Sequence, residues 1–360
     1  MSAQAGERAA RRRAARERRL RRRRVTAGGA LAVVVLLVLV LALSGGGGSG
    51  SGSAGSRRAA GSTAAKSSRA RSGGSAPRVS VSQVGELPSA LQDGAAAADP
   101  HGGVLLIGGL AEGESSLTDV LALGEGGARK VGSLPSATHD ACAATLGGGV
   151  YLFGGGAQSS FSQMLSVSAA GEEAHSVGTL PRPASDVGCA TVGGTAYLVG
   201  GYTGAEPLRT ILAWQPGRAP RVAGTLPKPL RYAAVVAVGG TVVIAGGTSG
   251  TQASAEVYRF DPASGTVSTL ARLPHPITHA AGATLGGQAL VIGGRGEPED
   301  SQRNAILAIS PGGAVRVAGA LPRALSDVAA APSGETVLLA GGRDSAGRPQ
   351  SSILALRLVR

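Results

Sequence analysis

A doubled glycine recurs along most of this chain at nearly equal intervals, and few folds can carry such a beat. The pairs fall at Gly108-Gly109, Gly154-Gly155, Gly200-Gly201, Gly246-Gly247, Gly293-Gly294 and Gly341-Gly342, with steps of 46, 46, 46, 47 and 48 residues. A Leu-Pro pair keeps the same interval, at Leu87-Pro88, Leu134-Pro135, Leu180-Pro181, Leu226-Pro227, Leu273-Pro274 and Leu321-Pro322. A fixed period of this length marks stacked supersecondary units. It makes one large unit of residues 78–360, where length alone would suggest two domains. With 59 glycines and only 2% aromatics the composition would otherwise suggest disorder. The regular apolar segments between the glycines argue against that.

The fourth unit shows the pattern best. Residues 231–238 are an apolar run, Gly239-Gly240 turns the chain, and residues 241–245 form a β-branched strand that ends in Gly246-Gly247. A polar loop leads to residues 255–260, which alternate. Asp261-Pro262-Ala263-Ser264-Gly265 has turn chemistry throughout, and residues 266–269 read as a fourth strand. Four short strands with tight turns make one antiparallel sheet, and six such sheets around an axis make a β-propeller.

The glycine pairs, the strand between them and Tyr258-Arg259-Phe260-Asp261-Pro262 resemble the kelch repeat family. The likeness extends over residues 78–360. Kelch units usually place a Tyr in the third strand and a Trp in the fourth. Here most units carry Leu, Ala or Val, and the only Trp, Trp214, lies in a third strand. The expected fold is all-β, a six-bladed kelch-like β-propeller preceded by a single transmembrane helix. The last unit lacks a fourth strand, and the alternating segment 79–84 has no blade of its own. The N-terminal strand is therefore expected to complete the sixth blade.

Ahead of the propeller, residues 1–24 hold eleven Arg and two Glu. Residues 25–44 follow without a charge, long enough at 1.5 Å per residue to span roughly 30 Å of hydrocarbon. The Arg-rich end should stay cytoplasmic. The reading is a cytoplasmic tail (1–24), an uncleaved signal anchor (25–44) and a disordered Gly/Ser/Ala linker (45–77) that lifts the propeller off the outer face of the cell membrane. A signal peptide cleaved after Ser44 competes, but its apolar region would be unusually long. The net charge of +13 sits in these leading segments and leaves the propeller near neutral. The folded part thus lacks the basic face that nucleic-acid binding needs.

Five residues beyond each Leu-Pro pair stand Asp93, Asp140, Asp186, Tyr232, His279 and Asp327. They lead into the innermost strand of every blade and are expected to ring the mouth of a central channel. One residue earlier come Gln92, His139, Ser185, Arg231, Thr278 and Ser326. A largely acidic mouth suits a cation, an amine or a sugar hydroxyl. Equally, an Asp repeated once per blade can be turn chemistry, its carboxylate accepting backbone N–H bonds. Arg182, Lys228, Arg231 and Arg323 add positive charge to the same rim. His275 and His279 are four apart, but a loop-to-strand segment does not give His-x-x-x-His its ligating geometry, so no metal or other cofactor is expected. Cys142 and Cys189 lie one position out of step in adjacent blades. A disulfide is permitted outside the cell, but that offset points them to different strand faces, so two buried free thiols are the default expectation.

The channel-mouth candidates are therefore Asp93, Asp140, Asp186, Tyr232, His279, Asp327, Arg231 and His139. The expected function is a membrane-tethered, monomeric binding module for a protein or glycan ligand. The resemblance also implies an alternative, since kelch-like propellers include sialic acid mutarotases and copper-dependent galactose oxidases. The copper site needs two Tyr, two His and a Cys cross-linked to Tyr, a constellation not recognisable here. The loops after the second glycine pairs are short, which favours binding over catalysis.

Overall fold

The computed structural model describes residues 78–124, 126–168, 174–250 and 252–359. The expected tail, membrane anchor and linker lie outside the described residues, among which no helix is long and apolar enough to cross a membrane.

Six antiparallel sheets form the described chain. From the channel outward, the blade strands are Ala95–Ala98, Val104–Ile107, Asp119–Gly124 and Gly127–Ser133 in blade 1. Blade 2 has His139–Leu146, Gly149–Gly156, Gln163–Val167 and His175–Thr179, and blade 3 has Gly188–Val192, Thr195–Val199, Thr210–Trp214 and Arg221–Thr225. Blade 4 has Ala234–Val238, Thr241–Ala245, Ser254–Asp261 and Thr266–Ile277, and blade 5 has Ala281–Leu285, Gln288–Ile292, Ala305–Ile309 and Val315–Ala320. Blade 6 takes Ala329–Ser333, Thr336–Ala340 and Gln350–Val359 from the end of the chain, and its outermost strand, Arg78–Gln92, from the beginning. Arg78 pairs with Val359 and Gln83 with Leu354, so the ring closes as expected. The closing strand is longer than residues 79–84. It runs on through Leu87-Pro88, and Leu91 and Gln92 pair with Ala111 and Leu110 beside blade 1.

The glycine pairs have two distinct roles. In blades 2–5 the first pair is a two-residue hairpin turn. In blade 4 Val238 pairs with Thr241 around Gly239 and Gly240, at φ 57° and 79°, the doubly left-handed turn whose twist matches the strands. The second pair is a joint between blades. The N–H of Gly109, Gly155, Gly201, Gly247, Gly294 and Gly342 donates to the carbonyl of Thr138, Ala184, Leu230, Ile277, Leu325 and Leu91 at 2.8–2.9 Å. Each acceptor lies in the segment that leads into the innermost strand of the next blade, and the last bond closes the ring. A Cβ on the first glycine of each pair would collide with that same carbonyl, so no other residue fits.

Because blades stack face to face, the core divides into six apolar wedges, one per gap. Two wedges carry aromatics. Trp214 meets Tyr151 and Phe153 edge-on at 4.9 and 5.2 Å between blades 2 and 3, and Tyr197 meets Phe260 at 5.3 Å between blades 3 and 4. The other gaps are filled by Leu, Ile, Val and Ala.

The expectation of free thiols is corrected. Cys142 and Cys189 form a disulfide across a Cα separation of 5.9 Å. The parity argument holds for strands within one sheet. Here the strands belong to different blades whose facing sides carry opposite parity, so the one-residue offset brings the cysteines together.

Candidate functional site at the channel mouth

Asp93, Asp140, Asp186, Tyr232, His279 and Asp327 form one closed belt. Each donates its backbone N–H to the carbonyl of its counterpart in the preceding blade, at 2.8–3.2 Å, and Asp93 donates to Asp327 to complete the circle. All six have left-handed backbones, with φ between 53° and 59°. Only one other described non-glycine residue, Glu114, has a positive φ. That conformation costs roughly 1–2 kcal/mol for a residue with a Cβ, and Asp tolerates it better than most. The repeated Asp is thus explained by backbone conformation. The alternative from turn chemistry is not what the structure contains: the recorded partners of these carboxyl groups are other side chains.

Since the belt occupies its own N–H and C=O groups, the mouth acts through side chains. The carboxyl groups lie in two pairs that each cross one gap. Asp93 donates to Asp327 between blades 1 and 6, and Asp140 donates to Asp186 between blades 2 and 3. Burial raises all four above the usual carboxylate range, most strongly Asp93 and Asp140, whose neighbouring carboxylates add to the effect. Two acids in contact share protons because both cannot ionise cheaply. Tyr232 donates its hydroxyl to Asp140 at 3.2 Å, and burial followed by the nearby carboxylates raises its pKa well above the ordinary value. Its ring stacks on His279 at 3.7 Å, across the gap between blades 4 and 5.

Positive charge enters the mouth from blades 4 to 6. Arg231 lies 2.5 Å from Asp186 through Nε, though neither atom has an aligned hydrogen bond, and its guanidinium covers the rings of Tyr202 and Tyr232. Arg295 contacts His279 Nε2 at 3.3 Å. Burial, then the charges of Arg295, Arg231 and Arg343, holds His279 well below its ordinary pKa, so it is neutral. His139 contacts Ser116 Oγ at 2.8 Å and lies 3.6 Å from Asp140, and burial lowers its pKa.

All eight candidates thus lie at or beside the mouth. Of the other rim charges, Arg182 is paired with Glu206 at 2.5 Å and Arg323 bonds Gln350, so neither is free to serve the channel. Sequence reasoning missed Tyr202, Arg295 and Arg343. Each stands one residue after a second glycine pair and bridges to the residue before a belt position, as Tyr202 does with Ser185, Arg295 with Thr278 and Arg343 with Ser326. That fixed offset was the available signal. The belt side chains and the first residues of the inner strands surround a cavity of about 180 Å³. Below it a second cavity of about 300 Å³ is lined chiefly by Ala, with Thr145, Thr191 and Thr284 towards its far end. Those hydroxyls bond carbonyls of neighbouring blades. Among the described residues no His, Cys, Asp and Glu cluster has metal-ligating geometry.

The family model of the Kelch motif matches residues 229–274, which span blade 4. Blade 4 of this six-bladed β-propeller thus carries a Kelch motif. A solved structure described as "Structure of YjhT" superposes with a TM-score of 0.64 at 15% identity, covering 76% of this chain and 99% of that one. No curated protein matches the sequence. In all, 514 solved chains match, so the fold is widely shared and does not by itself select a ligand.

Proposed function

We propose that this kelch propeller is a membrane-tethered, extracytoplasmic binding module that takes one terminal sugar unit of a glycan into the channel mouth. The observation that carries this reading is the belt itself. Elsewhere among the described residues, left-handed positions belong almost without exception to glycine. At the mouth it keeps six larger side chains in that conformation, despite the cost. Strain held at one place is a pointer to function.

The chemistry of the mouth fits a hydroxyl-rich ligand. Carboxyl groups, a tyrosine hydroxyl and two neutral imidazoles converge on a space of about 180 Å³, below the ~300–1,000 Å³ of sites that engulf a whole drug-sized molecule. One ring-sized group is a suitable guest. The apolar segment 25–44 and the Arg-rich segment before it support the anchor and its orientation. A disulfide of the kind formed by Cys142 and Cys189 is compatible with an oxidising compartment outside the cytoplasm.

A second reading is favoured by one contact. Tyr232 bonds Asp140, which shares a proton with Asp186, so a bound sugar would meet both an acid and a base. This is the sugar-processing alternative. A glycan panel tested against the detergent-solubilised full chain should give a ligand whose affinity falls at least tenfold in Tyr232→Ala and Asp140→Asn. Affinity untouched by both substitutions would contradict the site. NMR of the bound sugar separates the two readings: unchanged anomeric exchange supports a module, whereas accelerated exchange lost in Asp140→Asn supports an enzyme.

A further inference from the structure

The disulfide lies directly beneath one of the two acid pairs. Cys142 is two residues beyond Asp140, Cys189 three beyond Asp186, and both line the same cavity as the belt side chains. Blades 2 and 3 are joined here at three levels: the backbone bond from Asp186 N–H to Asp140 O at 2.8 Å, the contact between their carboxyl groups, and the bridge at a Cα separation of 5.9 Å. The Asp93–Asp327 pair crosses the seam between blades 1 and 6, where no cysteine occurs. The same arrangement of acids thus appears twice in one ring, once stapled and once not.

We propose that the Cys142–Cys189 bridge is a redox-sensitive clamp that holds Asp140 and Asp186 together at the channel mouth, so that reducing it loosens this acid pair and leaves its counterpart across the seam in place. Cys142 is almost fully buried, whereas Cys189 retains partial exposure and lines both the upper and the lower cavity. A small thiol in the channel therefore has a sulfur to attack. The exchange balances: a dithiol donates two electrons and two protons, the Cys142–Cys189 bond breaks to two thiols, and the dithiol leaves as its own cyclic disulfide.

Loosening would change how the pair holds its protons. Asp140 faces Tyr232, His139 and, through charge, Asp327 as well as Asp186. Asp186 faces Arg231, Tyr232, Ser185 and, at longer range, His139. Taking Asp186 away from Asp140 removes the closest like charge and admits water, so Asp140 should titrate nearer the ordinary carboxylate range. Asp186 is pulled both ways, since water lowers it while loss of the hydrogen bond from Asp140 raises it. The clamp would act on the mouth whatever ligand enters it.

The test is NMR titration of the full-length protein carrying 13C-labelled aspartate carboxyls, in detergent, before and after dithiothreitol. Single Asp→Asn substitutions assign the signals. The clamp predicts that reduction moves the midpoint of Asp140 downward while those of Asp93 and Asp327 stay within error. The double variant Cys142→Ala/Cys189→Ala should reproduce the reduced protein. An unchanged midpoint for Asp140 would overturn the proposal. So would equal movement of both pairs, or loss of the ring on reduction, because the bridge would then be a general staple and not a local clamp.

Discussion

Asp140 shows most clearly what the mouth demands of a single residue. It accepts a left-handed backbone, closes a belt bond, donates to Asp186 and accepts from Tyr232. Its pKa is raised well above 3.8, chiefly by burial and then by the charges of Asp186 and Asp327. A carboxyl raised in the folded state adds stability at low pH that is lost as pH rises through its raised value. His279, held low, works in the opposite direction: its contribution is present above its ordinary value of 6.5 and is lost as pH falls. Asp140→Asn keeps a donor for Asp186 and an acceptor for Tyr232 but cannot ionise. Thermal melts across pH should therefore show the variant gaining on the parent by a few degrees at pH 8, at ~2–4 °C per kcal/mol, with the gain vanishing towards pH 4. A deficit that grows with pH would refute this electrostatic account. The grouping of these six residues was legible by counting from the Leu-Pro pairs. Their left-handed backbone was not, because Tyr232 and His279 are residue types that seldom signal it.

The glycine pairs make the corresponding point for the structural element. In the sequence both pairs of a blade look alike, and both read as strand punctuation. The structure separates them by what lies beside the missing Cβ. At Gly193 nothing approaches within 4 Å, whereas a Cβ at Gly154 would strike the carbonyl of Ala184 in the next blade. Gly193→Ala should cost only the left-handed backbone penalty, about 1–2 kcal/mol. Gly154→Ala should cost more, ~3 kcal/mol or above, by breaking the inter-blade joint as well. Chemical denaturation of the two variants checks the ranking, and equal losses would contradict it. The joint escaped sequence reasoning because its acceptor lies in the following repeat. Pairing of Cys142 with Cys189 was misread for a related cause: the register rule was applied as if both strands shared a sheet. Blade number, strand order and the closing strand were all legible, since they follow from local turns and from counting strands at the two ends of the chain.

For the whole molecule, the account rests on a ring with no free end. Arg78–Gln92 fastens blade 6, Gly342 bonds Leu91 across the seam, and Asp93 bonds Asp327 to close the belt. A closed ring makes every blade depend on both neighbours, so the six belt amides should open only when the propeller as a whole unfolds. The sequence could place six residues near a channel, but only the assembled ring reveals that they are linked by their own backbone and present their side chains to one shared space. Hydrogen exchange measured at the amides of Asp93, Asp140, Asp186, Tyr232, His279 and Asp327 in the full-length protein tests this most directly. The account predicts six similarly slow rates that match the global unfolding free energy. Fast exchange at Asp93, the amide at the seam, would show an open ring and contradict it.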